Sequence, residues 1–272
     1  MRVAVVGAGG KVGREVCRAV LAQADLDLVS AVDPGFDGSD LDTLVGVPAD
    51  DLVVRGDLDT LSSSGTEVVV DFTRLDAART TLEFCADRGI HAVVGTTGFS
   101  AEDLDHLALR FAGPDSGSPN CVVAPNFAIG AVLMMRFAEL AAPWFEGAEI
   151  VELHHDGKLD APSGTAVRTA ERMATARSSA GSGTFPADRT TTPVLPGARG
   201  GVGSAGVHIH SVRLPGLVAH QEVILGGVGQ SLTIRHDTYD RTSFVDGVLL
   251  AVREVRSRPG LTLGIEPLLG LR

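Results

Sequence analysis

Cysteine is scarce in this chain, with three in 272 residues, at positions 17, 85 and 121. No two of them form a CxxC pair, so neither a disulfide framework nor a thiolate metal cluster is expected, and no metal site is suggested. Cys17, Cys85 and Cys121 read instead as small buried apolar residues in a reducing compartment. Positive charge is also short. Lys and Arg number 23 against 34 Asp and Glu, a formal net charge of −11, which argues against nucleic-acid binding, where a basic face is the usual footprint. No apolar run reaches about 18 residues and the N-terminus enters a strand at once, so neither a membrane span nor a signal peptide is expected. A cytoplasmic protein follows from that reading. Internal repeats and long runs of one charge are missing too. What remains is an ordinary globular composition, 44% apolar and 21% charged, long enough for one large or two modest domains.

The acidic balance does not exclude an anionic substrate, because a local basic cluster can dominate its own cleft. Such a cluster exists. Glu152-Leu-His154-His155-Asp-Gly-Lys158-Leu-Asp160-Ala-Pro-Ser163-Gly164-Thr165-Ala166 places two histidines, a lysine and a helix start within 15 residues. The lead-in from Ala148 alternates like a strand that runs out at His154 and His155, where both imidazoles could reach one cleft. Lys158 follows in an Asp-Gly turn. A helix then begins, with Ser163 or Thr165 near its N-cap. Free N–H groups at a helix start suit a carboxylate or phosphate. With His155 and Lys158 beside them, the pocket fits a small di-anion with an imidazole or ammonium as proton donor.

The N-terminal part has a different character. Arg2-Val-Ala-Val-Val6 reads as a strand ending in Gly7-Ala8-Gly9-Gly10-Lys11-Val12-Gly13, followed by a helix with Val12, Val16, Ala19 and Val20 on one face. Gly7 permits the tight turn, Gly9 and Gly10 let a pyrophosphate approach the backbone, and Gly13 allows close helix packing. A second strand ends in Asp33, 20 positions after Gly13, where an acidic side chain meets the adenosine ribose. Pro34 to Ser64 reads as loop-rich. Strands at Thr66–Thr73, Gly89–Val94 and Asn120–Ala124 alternate with helices at Asp76–Arg88 and from Ser100, whose capping-box pattern runs through Asp103. Alternation of this kind implies a parallel, doubly wound sheet. Gly95-Thr96-Thr97-Gly98 and Ala124-Pro125-Asn126-Phe127 then fall at strand C-terminal ends, as candidate nicotinamide contacts.

Beyond the Ser163 helix, Ser178–Gly206 is rich in Ser, Gly, Thr and Pro, too broken for a core element, and reads as a mobile flap or a long connection. Strands at Val207–Leu214, Val218–Leu225 and Ser231–His236 follow without helices between them, which suggests a mostly antiparallel sheet in a second, α+β domain. His208, His210, His220 and His236 on these strands are read mostly as solvent-facing or satisfied interior residues. Arg241 to about Arg256 reads as a helix packing back on the first domain. The expected fold class is thus α/β, an N-terminal Rossmann-type sheet plus a C-terminal α+β domain. Residues 1–125, completed by 241–272, form the dinucleotide-binding domain, and 126–240 the substrate-binding and oligomerisation domain.

Four stretches, Val3–Gly13, Val94–Phe99, Ala124–Gly130 and Glu152–Ala166, resemble in order those of the 4-hydroxy-tetrahydrodipicolinate reductase family, also called dihydrodipicolinate reductases. The resemblance implies NADH or NADPH as cofactor, with Gly7, Ala8, Gly9, Gly10, Lys11 and Val12 at the pyrophosphate and Asp33 at the ribose. Gly95, Thr96, Thr97, Ala124, Pro125, Asn126 and Phe127 would line the nicotinamide, and Phe72 would also bind the cofactor. It further implies His154 as proton donor and acceptor and Lys158 as a second donor. His155, Ser163, Gly164, Thr165 and Arg241 would bind a cyclic dicarboxylate, and the protein would be a homotetramer. The sequence departs from the family at one point: Pro34 follows Asp33 where many members carry an arginine able to meet a 2′-phosphate. Use of both cofactors with a tilt to NADH is expected. A semialdehyde or homoserine dehydrogenase relative, and a non-catalytic dinucleotide sensor, are the other classes weighed.

Overall fold

The computed structural model describes residues 1–113 and 117–271. In chain order the strands are β1 (Arg2–Val6), β2 (Asp27–Val32), β3 (Val68–Asp71), β4 (His91–Val94), β5 (Cys121–Val123), β6 (Gly147–His154), β7 (Gly201–Val202), β8 (His208–Arg213), β9 (Ala219–Gly227), β10 (Gln230–Thr238) and β11 (Leu261–Leu263). The helices are α1 (Lys11–Leu21), α2 (Leu41–Val45), α3 (Asp59–Ser63), α4 (Leu75–Arg88), α5 (Ala101–Arg110), α6 (Ile129–Ala141), α7 (Gly164–Ser179) and α8 (Val245–Glu254). They fall into two compact units, Met1–Ile129 with Arg241–Arg272, and Gly130–Asp240. No helix among the described residues is long and apolar enough to cross a membrane.

The first unit is built on a six-stranded sheet in the order β11-β5-β4-β3-β1-β2, with every pairing parallel. Its strands are short β-branched runs rather than alternating ones. All four residues of β3 are buried, as a parallel sheet covered on both faces requires. Helix α1 buries Gly13, Val16, Cys17 and Val20, so Cys17 takes the inward place expected for Ala19. Helix α5 starts in a complete capping box, with Ser100 and Asp103 each bonded to the other's backbone. The Pro34–Ser64 connection holds α2, α3 and a 3-10 turn at Pro34–Phe36, more regular than the loop expected there. The C-terminal segment returns to this unit. The helix expected over Arg241–Arg256 is α8 flanked by 3-10 turns, and β11 then adds a strand beside β5. Asn120 fastens the return, its Nδ2 donating to the carbonyls of Val255 and Arg256 at 2.9 and 3.1 Å.

The second unit holds a five-stranded sheet in the order β10-β9-β6-β8-β7. It is antiparallel except between β6 and β8. The parallel pair exists because α7 and the long Ser/Gly-rich segment carry the chain back across the sheet, the crossover a parallel pairing needs. That segment is less structureless than its composition suggests. Phe185 is buried under the Arg177 guanidinium, 4.0 Å from its ring centroid, and β7 joins the sheet edge. The histidines of this sheet are largely satisfied: His208 Nδ1 meets the Arg199 carbonyl, His210 Nε2 meets Glu149, and His220 Nδ1 meets Asp237.

Candidate active site and dinucleotide cradle

In the second unit the predicted strand ends at His154, as its alternation implies. Residues two apart on a strand share a face, so His154 lies beside Glu152, whose side chain is fully buried. The Nδ1 of His154 is 2.5 Å from Glu152 Oε2. Parallel pairing sets Arg213, the last residue of β8, opposite His154. Its guanidinium closes on Glu152 in a two-pronged pair, Nη1 to Oε2 at 2.9 Å and Nη2 to Oε1 at 2.8 Å. The Ser163 N–H donates to Oε1 at 3.2 Å, and Arg213 Nη2 donates onward to the Asp160 carbonyl at 2.8 Å. Burial pushes the Glu152 carboxyl up, and the bonds from Arg213, Ser211 and His154 outweigh it, leaving the group net below the usual carboxylate range. For His154, burial pushes the imidazole down against the pull of Glu152, and the charges of Lys158 and Arg213 add to the lowering.

The two histidines differ in setting. His154 is partly buried, and His155 is exposed in the turn beyond the strand, its N–H on the Val218 carbonyl at 3.4 Å and its carbonyl accepting from Lys158 N at 3.2 Å. Lys158 Nζ sits on both oxygens of Asp160 at 2.8 and 2.9 Å, which holds the Asp160 carboxyl below its usual range. Ser163 is the N-cap of α7, its hydroxyl accepting from Ala166 N at 3.3 Å. Ser163 is buried, Gly164 exposed and Thr165 half-buried. The exposed Arg241 opens a 3-10 turn in the first unit.

The first unit brings the predicted cofactor residues to the C-terminal ends of its strands. Gly7 has φ +82° and faces the Phe72 carbonyl, and a Cβ on Gly13 would lie 2.0 Å from the Gly7 oxygen. Both glycines are therefore demanded by the turn and by α1 lying on it. Gly9 has another reason. A Cβ there would lie 2.0 Å from the Phe36 ring, and its N–H donates to Asp33 Oδ2 at 3.0 Å. The open backbone expected at Gly9 and Gly10 thus falls to the exposed Gly10 and to the start of α1 at Lys11 and Val12, which no side chain caps. Ala8 is buried behind them. Asp33 also accepts from Gly35 N at 3.0 Å. At the β4 end a Cβ on Gly95 would strike the Phe72 ring at 2.0 Å, and Phe72 packs against Phe127 with centroids 5.7 Å apart. The Thr96 hydroxyl donates to Asp71 Oδ1 at 3.2 Å and to the Thr73 carbonyl at 3.0 Å, beside the exposed Thr97. Ala124 N bonds the Val94 carbonyl at 3.0 Å, and Asn126 Oδ1 caps Ala128 N at 2.9 Å next to exposed Pro125. Burial pushes the Asp71 carboxyl up against the bonds from Thr73 and Thr96.

An all-parallel sheet with a glycine turn after its first strand, an acid at the end of its second, and a cluster of His154, Lys158 and a helix start elsewhere in the chain defines a nicotinamide-dependent oxidoreductase of the Rossmann class. The particular family is shown by comparison. Residues 1–127 match the family described as dihydrodipicolinate reductase, N-terminus, and 130–269 its C-terminus. The chain belongs to the dihydrodipicolinate reductase family. The 4-hydroxy-tetrahydrodipicolinate reductases of Mycobacterium marinum and Nocardia farcinica are each 53% identical to it over 272 residues, covering all of this chain and 100% and 99% of theirs. A dipicolinate-bound dihydrodipicolinate reductase from a Paenisporosarcina species superposes with TM-score 0.85 at 40% identity, covering 98% of both chains. An amine dehydrogenase from Mycobacterium smegmatis shares the fold alone, at TM-score 0.63 and 14% identity over 96% of this chain and 94% of its own.

Two residues of the cluster escaped the sequence reading. Glu152 stood inside the quoted motif without a role, although its spacing from His154 was a usable signal. Arg213 gave none, because only the pairing of β6 with β8 brings it there.

Proposed function

We propose that this chain catalyses the NADH- or NADPH-dependent reduction of 4-hydroxy-2,3,4,5-tetrahydrodipicolinate to 2,3,4,5-tetrahydrodipicolinate with loss of water, a step of diaminopimelate and L-lysine biosynthesis. The observation that carries it is the full-length likeness to relatives bearing that name. The glycine turn, the uncapped α1 start and the doubly held Asp33 fit a dinucleotide. In this reading, residues 1–125 with 241–272 bind the dinucleotide and 126–240 bind substrate and form the assembly interface. When bound, the cofactor supplies a hydride to substrate C4.

The protein's own part is proton supply and positioning. His154 donates a proton to the reduced ring, and Lys158 is a second donor. His155, Gly164 and Thr165 hold the carboxylates at the α7 start, where free N–H groups and the helix dipole favour an anion. Ser163 contributes as the cap that shapes this start, since its N–H and hydroxyl are already engaged. Arg241 is assigned to substrate on resemblance. Phe72, Gly95, Thr96, Thr97 and Ala124 to Phe127 form the nicotinamide side of the cradle. The Asp33 carboxylate, occupied by two backbone N–H groups and followed by Pro34, favours a free ribose 2′-hydroxyl, hence NADH. A cysteine nucleophile of the semialdehyde dehydrogenase kind has no candidate among the three thiols, all of them buried. The working form is a cytoplasmic homotetramer assembled through the second unit's sheet.

The test couples the chain to the preceding synthase, which forms the substrate from pyruvate and aspartate semialdehyde, and follows loss of NADH or NADPH absorbance. Turnover above the synthase-only control is expected, with kcat/KM favouring NADH, and an NADPH preference of about tenfold would overturn the Asp33 assignment. His154→Ala and Lys158→Ala should each lower kcat by roughly 10²-fold with cofactor Kd little changed. Clear NADH binding without turnover would overturn the reaction.

A further inference from the structure

Glu152 carries no role in proton transfer or carboxylate binding, yet each part of that site is tied to it. His154 Nδ1 lies 2.5 Å from one oxygen, and the amide at the α7 cap lies 3.2 Å from the other. Arg213 spans both oxygens and continues to the carbonyl of Asp160, the residue that holds Lys158. An exposed carboxylate would gain little from so many donors, but a fully buried one requires them. Once Arg213 and the Ser163 amide ionise it, this carboxylate can only accept. The imidazole nitrogen facing it is then an N–H, and the proton to be transferred falls to the other nitrogen.

We infer that Glu152 and Arg213 are positioning residues for the proposed reduction: their buried pair fixes His154 as the Nδ1–H tautomer, leaves Nε2 to take up and release the proton, and aligns the α7 start and the Lys158 turn with it. The inference rests on His154 being the proton donor. Its sharpest probe is Glu152→Gln, which keeps the shape and changes the donor pattern. The amide oxygen best serves the two donors that face Oε1, Arg213 Nη2 and the Ser163 N–H. The NH₂ group is then turned toward His154, while Arg213 Nη1 keeps its 2.8 Å bond to the Val212 carbonyl. The ring answers by offering a lone pair at Nδ1 and moving its hydrogen to Nε2.

Nitrogen-15 NMR of the imidazole in the full, ligand-free chain reads this directly, with His154→Gln identifying the signals. Wild type should show Nδ1–H and Glu152→Gln should show Nε2–H. In the coupled assay Glu152→Gln should lose roughly 10²-fold in kcat with KM for the dicarboxylate little changed, and Glu152→Asp, which remains an acceptor, should keep the wild-type tautomer. A merely structural role would leave the tautomer unmoved. Wild-type Nε2–H, or a Glu152→Gln variant with wild-type tautomer or kcat, overturns the inference, and the wild-type spectrum decides even if a variant does not fold. Absent turnover by wild type would instead count against the proposed reaction, with the tautomer still testing the pair.

Discussion

Arg213→Met isolates the energetic weight of the buried pair. Arg213 keeps 19% of its side-chain surface and Glu152 none, so little solvent is at hand to replace the guanidinium when it is removed. Glu152 would retain the Ser163 amide, the Ser211 hydroxyl and His154 as donors and lose the charge that balances it. Stranding a buried charge in this way costs about 3–5 kcal/mol, and the residual exposure of Arg213 favours the lower end. At about 2–4 °C per kcal/mol for a chain of this size, a loss near 3 kcal/mol lowers Tm by roughly 6–12 °C. The pH dependence follows from the sign of the titration. In wild type the Glu152 carboxyl sits below its ordinary value, so its contribution is present above the unfolded pKa of about 4.5 and fades as pH falls through the folded one. In Arg213→Met burial acts without Arg213 and pushes the carboxyl up, so the folded variant binds its proton more readily than the unfolded chain. The deficit against wild type should therefore shrink as pH falls from neutrality toward the unfolded value of about 4.5. Calorimetry of both proteins across that range is the assay. A Tm within about 1 °C of wild type, or a deficit that does not change with pH, would refute the reasoning.

Two further outcomes are expected. Gly13→Ala would drive a methyl group to 2.0 Å from the Gly7 carbonyl, a backbone atom that cannot swing aside. Helix α1 must shift off the turn at a cost of about 1–3 kcal/mol, and Tm by calorimetry should fall far more than for Gly10→Ala, whose Cβ would have 3.2 Å to the same oxygen; equal losses would count against the close packing of α1 on the turn. His154, lowered chiefly by burial with Lys158 adding to the effect, should titrate below the ordinary value of about 6.5 in the ligand-free protein, and Lys158→Ala should raise its midpoint. A midpoint at or above the ordinary value in wild type would contradict that environment.

Much of this architecture was legible from residue order, for identifiable reasons. Arg2–Val6, the glycine turn and the second strand ending in Asp33 form one local unit whose hydrophobic period, turn chemistry and spacing agree. The Glu152–Ala166 stretch carried its chemistry in contiguous residues, and Ser163 emerged as the cap from the two candidates the sequence offered. What was hidden depended on pairings between distant residues. β11 spans three residues, too few for any period to register, and becomes a strand because β5 offers it an edge. Phe36 fills the space beside Gly9, so one glycine of the fingerprint answers to a side chain 27 positions away. Arg213 belongs with Glu152 through the register of a parallel pair separated by a crossover of uncertain length, which periodicity cannot supply.

The cluster contains two ion pairs, and their different exposure assigns them different work. Asp160 keeps 60% of its side chain in solvent opposite Lys158 at 22%, whereas Glu152 keeps none opposite Arg213 at 19%. An ion pair that water reaches is weak because solvent replaces either partner readily. In the proposed reaction Lys158 could therefore leave Asp160 for an incoming carboxylate or reduced ring at little cost, with Asp160 returning to solvent. Glu152 has no such exit, since losing Arg213 would strand its charge. The site thus carries one cation free to exchange partners, Lys158 in the turn after β6, and one that is not, Arg213 at the end of β8, and His154 is hydrogen-bonded to the fixed pair. In the proposed reaction His154 must keep its geometry while charge around it is rearranged, and this division would let Lys158 move without releasing the ring of His154.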